Sequence, residues 1–523
     1  MNNRKMSCGL AAFYAAVILL AGCIPEDSLE WSQDGSIGLL RVEGALYLVD
    51  GKTGALTEIA KENIESWPAI SKNGNLIAYS QRVKCASLSE GLKVLPPGQV
   101  KMVEYYAAQT RKNILDAGGL APDPVGGGNF PFPEEGPLVP GDYRNWAIRF
   151  LCENADDELA RILGAEGIKT GREKEISYSR IVVAQATLGV ARSAAPDKSH
   201  VVAASLFSVV GMKFSPDCKL LAYLMHTQQG QVSNAFEEHG LYVASLQTDV
   251  KAMLVTHPVA WGYDWRKDGR AIAYLTADSK DLSNENTILG TFEERIVADE
   301  NGSLLAAPME LSEQGSAGTH YCTGKTASLA GGIFYPWLKV QYGAGERIFF
   351  SSCVLSLPAS KRDEPGWSLF CYDCITGTVT DVLPLSVSNH TSKAMSMTQF
   401  ALSPDGKNVV LPIKNNRFVG YTLGTDSIEI PIEQDEGFGE EDVLKLAPAW
   451  KGNRGVSFLV SDISPRLTAG VPRPVAGAKG PAAAGPKTKD GQEKPTRKEI
   501  VVLEDGESRI LSASWPDQIM RHF

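Results

Sequence analysis

Short apolar stretches separated by small polar turns recur along most of the chain. The pattern is clearest at Phe214–Tyr223, where an aromatic residue precedes Ser-Pro-Asp-Cys and the apolar run Leu-Leu-Ala-Tyr follows. It returns at Trp265–Tyr274 and at Leu402–Leu411. Ser-Pro-Asp-Gly favours a tight turn, because Pro pre-sets φ and Gly accepts the left-handed exit. The β-favouring residues on both sides predict two short antiparallel strands.

This recurrence predicts a repeat architecture over residues 31–516. About seven units of four strands, each roughly 40 to 50 residues long before insertions, are what a β-propeller requires. The predicted fold is therefore all-β, a β-propeller with seven four-stranded blades. Six and eight blades stay open, because the fifth and seventh units match weakly. Stacking the units in a ring buries their sheet faces. We therefore expect the aromatic residues that open the units to pack between blades: Trp31, Phe214, Trp265, Trp337, Phe400 and Trp450.

The second unit is interrupted between its second and third strands. Apolar residues lie on one side of Val100–Leu115 and of Tyr143–Leu163, which predicts two helices. We expect a helical insertion over residues 85–172 within the propeller. It is a candidate recognition element, because insertions on a rigid scaffold often carry function, and the alternative is a decoration without a role. Residues 464–497 are rich in Pro, Ala, Gly and Lys and predict a disordered loop.

The N-terminus has the pattern of an export signal. Arg4 and Lys5 precede an apolar run, Gly9–Leu20, which is too short to span a bilayer. Small residues then lead to Cys23, so we expect a signal peptide over residues 1–22 and a tether over residues 23–30. An ordinary secretory signal followed by a chance cysteine is the alternative.

Composition narrows the possible functions. Hydrophobic residues make up 43% of the chain and charged residues 21%, which indicates a packed core. The net charge is −10, which argues against a nucleic-acid partner, because phosphate binding needs clustered Lys and Arg.

No chemical motif stands out. The histidines are scattered without metal-binding spacing, so no metal or cofactor is predicted. Cys371-Tyr-Asp-Cys374 has redox spacing, but it follows a strand instead of opening a helix. After Cys8 and Cys23, seven cysteines remain, and some are expected to pair in an oxidising compartment. Cys353 and Cys371 lie in neighbouring predicted strands, which can bring Cα atoms to about 5.5 Å. We therefore expect a Cys353–Cys371 disulfide, with Cys353–Cys374 as its rival.

The repeat resembles the TolB-type propeller repeat, because the Ser-Pro-Asp-Gly turn is followed by Ile/Leu-Ala-Tyr and then by Leu-Tyr-Val, as at Leu241-Tyr-Val243. Leu20-Ala-Gly-Cys23 resembles the bacterial lipobox, which implies cleavage before Cys23 and a lipid on its thiol. By the same resemblance, Ile24 in place of Asp favours the outer membrane over the inner membrane.

The resemblances imply a membrane-anchored envelope lipoprotein whose propeller is a non-catalytic platform for a protein or polysaccharide. The alternative is a glycan hydrolase or lyase with carboxylates in the central channel. Two carboxylates about 5 to 10 Å apart across the channel would favour the enzyme. An aliphatic lining would favour the platform.

Overall fold

We describe the protein from a computed structural model. The described residues are 28–511 without 43, 62, 66, 121–129, 131–140, 190–198, 227–238, 248–251, 257–258, 260–261, 270, 278–286, 294–296, 299–303, 306–326, 330–331, 334–338, 355–365, 377, 383–399, 414–416, 424–428, 432–442, 454, 463–497 and 505–506. The leader, Cys23, Cys322, Trp337 and the loop 464–497 lie outside them.

The described chain is mostly β, and its antiparallel sheets follow one another along the sequence. The first sheet consists of β1 (Ser28–Trp31), β2 (Ile37–Val42), β3 (Ala45–Asp50) and β4 (Leu56–Ala60). The second consists of β5 (Ala69–Ile70), β6 (Leu76–Lys84), β7 (Ser177–Gln185) and β8 (Ser199–Ser205). The third consists of β9 (Val209–Phe214), β10 (Leu220–His226), β11 (His239–Ser245) and β12 (Met253–Thr256).

The fourth sheet encloses a separate hairpin. It consists of β13 (Tyr263–Trp265), β14 (Ala271–Ala277), β15 (Thr287–Glu293) and β18 (Ala327–Leu329). The hairpin between β15 and β18 pairs β16 (Val297–Ala298) with β17 (Leu304–Leu305). The fifth sheet consists of β19 (Gly332–Ile333), β20 (Val340–Tyr342), β21 (Arg347–Val354), β22 (Gly366–Asp373) and β23 (Thr378–Asp381).

Two further sheets complete the described chain. The sixth consists of β24 (Ala401–Leu402), β25 (Asn408–Ile413), β26 (Arg417–Thr422) and β27 (Glu429–Pro431). The seventh consists of β28 (Val443–Lys451), β29 (Gly455–Asp462), β30 (Lys498–Glu504) and β31 (Glu507–Leu511). As far as the structure describes the chain, every sheet is built from one continuous part of it, so the first and last sheets share no described strand.

The repeated sequence motif forms the turn between the first two strands of a sheet. Ser32 Oγ donates to Asp34 Oδ1 at 2.7 Å, and Ser403 Oγ donates to Asp405 Oδ1 at 2.6 Å. The residue that closes each turn has positive φ, which is 71° at Gly406 and 61° at Cys218. Glycine favours this position because a Cβ is strained there. The sequence pattern therefore encodes a backbone geometry.

These turns touch one another from sheet to sheet. The Gln33 N–H donates to Lys72 O at 2.9 Å, and the Asp405 N–H donates to Asn453 Oδ1 at 3.0 Å. The first strands also contact each other, and β1 contacts both β5 and β28. The first strands therefore run in the same direction around a centre, with their turns on one side. We call that side the turn face.

Trp31 joins the first sheet to the last. Its Nε1–H donates to Ser457 Oγ at 2.7 Å, and the ring is 7% exposed. Trp265 donates to Lys213 O at 3.1 Å, and Trp450 donates to Ala401 O at 2.8 Å. In each case the tryptophan bonds to the preceding sheet. Packing between sheets, which we predicted for these aromatic residues, is confirmed for these three.

Four helices lie between β6 and β7. They are α1 (Leu88–Val94), α2 (Pro97–Ala117), α3 (Gly141–Glu153) and α4 (Asp157–Arg172). Asp156 caps α4, because its Oδ1 accepts from the Leu159 N–H at 2.9 Å. The apolar sides of α2, α3 and α4 pack together around Ala107, Ile148 and Leu163. No helix among the described residues is long and apolar enough to cross a membrane.

The strand register contradicts the expected Cys353–Cys371 disulfide. β21 and β22 are neighbours, but Cys353 lies opposite Trp367, and Cys371 lies opposite Phe349. Four residues of strand separate the two positions by about 13 Å, beyond the reach of a disulfide. Neither Cys371 nor Cys374 forms a disulfide in the structure. The two cysteines were placed on the correct pair of strands but at opposite ends of it.

Candidate functional site in the central channel

The first strands of four sheets each carry one polar side chain at the same position in the repeat. It is the residue before the aromatic residue that precedes the turn. The described members are Glu30, Lys213, Asp264 and Gln341. The residues on both sides are buried, as Tyr263 and Trp265 are around Asp264. Alternation along a strand therefore directs these four side chains away from the sheet cores. Because the first strands surround a centre, the four side chains face a central channel.

Lys213 and Asp264 form an ion pair across neighbouring sheets. Lys213 Nζ lies 3.1 Å from Asp264 Oδ1, and the two side chains are 28% and 24% exposed. Asp264 Oδ2 accepts from the Tyr342 N–H at 2.9 Å. The carboxylate thus ties the third, fourth and fifth sheets together at the channel wall.

The Glu30 carboxylate accepts a long hydrogen bond from the protein backbone. Its Oε2 accepts from the Ile70 N–H at 3.4 Å, and the side chain is exposed to water. Even so, the surrounding protein desolvates the carboxylate enough to raise its pKa to about 7, although Lys213 opposes the shift. Glu30 therefore changes its charge near neutral pH.

Lys339 is the second group that titrates near neutrality. Its Nζ donates to Phe400 O at 2.5 Å and lies 5.3 Å from the centre of the Phe400 ring. Burial, together with the nearby charge of Lys213, lowers the pKa of Lys339 to about 7. Asp264 and Glu30 act in the opposite direction.

Lys72 follows β5 and completes the group from the turn face. Desolvation lowers its pKa, and the negative charge of Asp264 partly offsets this shift. Charged side chains from five sheets therefore influence one another electrostatically. We call this set the channel cluster: Glu30, Lys72, Lys213, Asp264 and Lys339.

The channel cluster offers both signs of charge in a partly dehydrated space, where ionic contacts are stronger than in bulk water. It is suited to binding an ionic group. Its two carboxylates also lie in different environments, which is a requirement for acid and base roles. Among the described residues, no group of three or more His, Cys, Asp or Glu side chains has the arrangement of a metal site.

Sequence reasoning singled out no residue of the channel cluster. Aligning the repeats on their turns would have placed Glu30, Lys213 and Asp264 at one position. Lys339 lies outside that position, one residue before β20. Its inclusion depends on the packing of the fifth sheet against the sixth, which no local pattern reveals.

Comparison with known proteins shows fold likeness alone. No protein-family model matches the chain, and no curated protein matches it. TolB from Acinetobacter baumannii is 16% identical with a TM-score of 0.30, covering 55% of this chain and 57% of that protein. The β-propeller domain of the Trilobed protease from Pyrococcus furiosus is 13% identical with a TM-score of 0.31, covering 66% and 91%.

A third similar structure is oligogalacturonate lyase from Vibrio parahaemolyticus. It is 10% identical with a TM-score of 0.36, covering 73% of this chain and 72% of that protein. The similar structures thus include TolB, a β-propeller domain and an enzyme, so they do not separate a binding platform from a catalyst. This chain is mostly β, and its structural neighbours are of the propeller type.

Proposed function

We propose that the chain is a TolB-like, seven-bladed β-propeller, lipid-anchored through Cys23 in the bacterial envelope, where the outer membrane is its expected location. It acts as a non-catalytic platform that binds a protein or polysaccharide partner. The channel cluster carries this proposal, because five sheets converge there on groups able to bind an ionic part of a partner.

The environment of Asp264 favours binding over catalysis. One of its oxygens faces the Lys213 ammonium, and the other accepts a backbone hydrogen bond from Tyr342. Both carboxylate oxygens already have partners, so neither is free to approach a reacting atom of a substrate. The arrangement is thus better suited to holding a partner in a fixed position.

A glycan hydrolase or lyase is the second candidate, and Glu30 supports it. A carboxyl group with a pKa near 7 is suited to general acid catalysis, and Asp264 supplies a second carboxylate that pairs with Lys213. In that function Glu30 would donate the proton and Asp264 would act as base or nucleophile.

Glu30→Gln separates the two functions, because Gln keeps the size and hydrogen bonding of Glu30 but donates no acidic proton. Lys213→Met and the exposed turn variant Lys407→Gln serve as comparisons. For a platform, partners captured from detergent-solubilised envelopes and identified by mass spectrometry should be retained by Lys407→Gln and lost by Lys213→Met. For an enzyme, the wild type should release new glycan ends and Glu30→Gln should not. Equal capture by all variants, without glycan cleavage, would contradict both functions.

The anchor has its own test. Cys23→Ser should release the protein from the membrane fraction or leave its leader uncleaved, because the thiol is the expected site of lipid attachment. Fractionation and intact-mass measurement follow both outcomes. A mature Cys23→Ser protein that stays in the membrane fraction would refute the lipid anchor.

A further inference from the structure

The side of the ring opposite the turn face is identified by strand ends. β1 begins at Ser28 and runs toward its turn, so Ser28 lies on the opposite side. β6 runs back from its own turn and ends at Lys84. The start of β1 and the end of β6 therefore lie on the same side of the ring, which we call the entry face.

The helices lie on this entry face. The Cys85 N–H donates to Ile176 O at 2.9 Å, which closes the base of the insertion beside the end of β6. Gln99 on α2 bonds to the connection between β8 and β9, donating to Ser205 Oγ at 3.0 Å and accepting from the Leu206 N–H at 2.7 Å. Trp146 on α3 donates to Ser177 O at 3.1 Å. The insertion is therefore fixed to the ring and does not swing freely.

The chain between Cys23 and β1 is short. Four residues lie between Cys23 and Ser28, and the five steps of a fully extended chain span at most about 3.6 Å each, or about 18 Å in total. A helix with its side chains is about 10 Å thick. A lipid on Cys23 thus leaves room between the ring and the bilayer for little more than one layer of helices.

We propose that the protein stands on its membrane with the entry face toward the lipid, so that helices α1–α4 contact the bilayer surface and the turn face points away from it. This inference rests on the proposed lipid anchor at Cys23. The turn face is then the surface that partners reach from the aqueous side of the envelope.

The surface of α2 is consistent with this position. Its buried side includes Gln99, Val103 and Ile114, and Tyr105 projects from the other side with 53% of its area exposed. An exposed tyrosine is favoured at the boundary between lipid headgroups and water. Residues 85–176 contain more acidic than basic residues, so the short tether, not attraction to anionic lipid, holds this side at the membrane.

Energy transfer to the membrane tests the orientation. A donor dye is attached through an azido amino acid at Tyr105 or at Lys407, and the lipidated full-length protein is reconstituted into liposomes that contain acceptor lipid. Because a strand length of about 20 Å separates the two faces, transfer from position 105 should exceed transfer from position 407 by about twofold or more. Equal transfer, or stronger transfer from position 407, would overturn the orientation.

Two further variants separate this inference from the anchor itself. Cys23→Ser should abolish transfer from both positions, and unchanged transfer in that variant would refute the anchor instead of the orientation. A Gly/Ser spacer of about 20 residues after Pro25 adds about 25 Å of flexible reach. It should preserve membrane attachment and reduce transfer from position 105. Undiminished transfer with the spacer would show that the helices bind lipid on their own, and the tether would then not determine the orientation.

Discussion

The turn face and the entry face of the ring differ in how they are formed. The turn face repeats one device in sheet after sheet, a Ser-to-Asp hydrogen bond followed by a residue of positive φ. The entry face carries the helical insertion, and among the described sheets helices occur in the second sheet alone. The residues of the repeated motif should therefore determine stability, and the helical insertion and the channel cluster, whose side chains change from sheet to sheet, should determine function.

The largest expected effect is at the contact between the first and last sheets. Trp31→Ala removes a buried ring and its bond to Ser457, which should lower the free energy of unfolding by about 3 to 5 kcal/mol. Guanidinium denaturation measures the change. Tyr105→Ala, at an exposed and unrepeated aromatic residue, is the control and should change stability by less than about 0.5 kcal/mol. Similar denaturation midpoints for both variants would remove the distinction between the two classes.

A turn substitution should have the next largest effect. An ideal Cβ at Gly406 would lie 2.5 Å from the Ala344 nitrogen, and φ there is 71°. Gly406→Ala should therefore destabilise the protein by about 1 to 3 kcal/mol. Cys218→Gly is the matched reverse change, because Cys218 has φ 61° at the equivalent turn position. It should raise the thermal midpoint slightly by relieving that strain. A lower midpoint for Cys218→Gly would show that the thiol contacts outweigh the strain.

The channel cluster should make stability depend on pH in two opposite directions. The pKa of Glu30 rises from 4.5 to about 7 on folding, so the free energy of unfolding falls as pH increases through that range. The pKa of Lys339 falls from 10.5 to about 7, so the free energy of unfolding rises with pH above 7. Glu30→Gln should flatten the acid side of the profile, and Lys339→Met the alkaline side. Denaturation across pH 4 to 10.5 that shows neither change would contradict the assigned pKa shifts.

The smallest effect concerns thiols. Cys371 and Cys374 form no disulfide in the structure, so these two cysteines should not make the unfolding midpoint depend on reductant. Alkylation under denaturing conditions without reductant, followed by mass spectrometry, should modify both cysteines fully. If Cys371 were not alkylated, it would have to be in a disulfide, contrary to the strand register.

The sequence predicts those parts of the fold that depend on local geometry. The turn at Leu402–Leu411 was recognisable because Ser, Pro, Asp and Gly each fill a position with a strict backbone requirement. The helices near Val100–Leu115 followed from apolar spacing, and the structure extends that helix to Pro97–Ala117. The fifth sheet was harder, because Gly343-Ala344-Gly345 replaces the usual turn residues after Tyr342.

Local sequence patterns could not predict the strand register or which distant side chains approach one another. Cys353 and Cys371 lie on adjacent strands, as expected, but their alignment depends on how β21 and β22 pair, which the cysteines do not determine. Glu30 and Asp264 are more than two hundred residues apart. They approach each other because the sheets surround a centre, and the raised pKa of Glu30 follows from that enclosure.

Among the described residues the first and last sheets share no strand, and this has a mechanical consequence. A strand of one terminus that completed the sheet of the other would join the two ends, but β1 contacts β28 without a hydrogen-bonded ladder between them. In the proposed orientation, the lipid pulls on the chain a few residues before β1. A load on the anchor would act first on this junction, so resistance to force would depend on Trp31 and its contact with Ser457. Extraction from the membrane would then open the ring at its first sheet before any other.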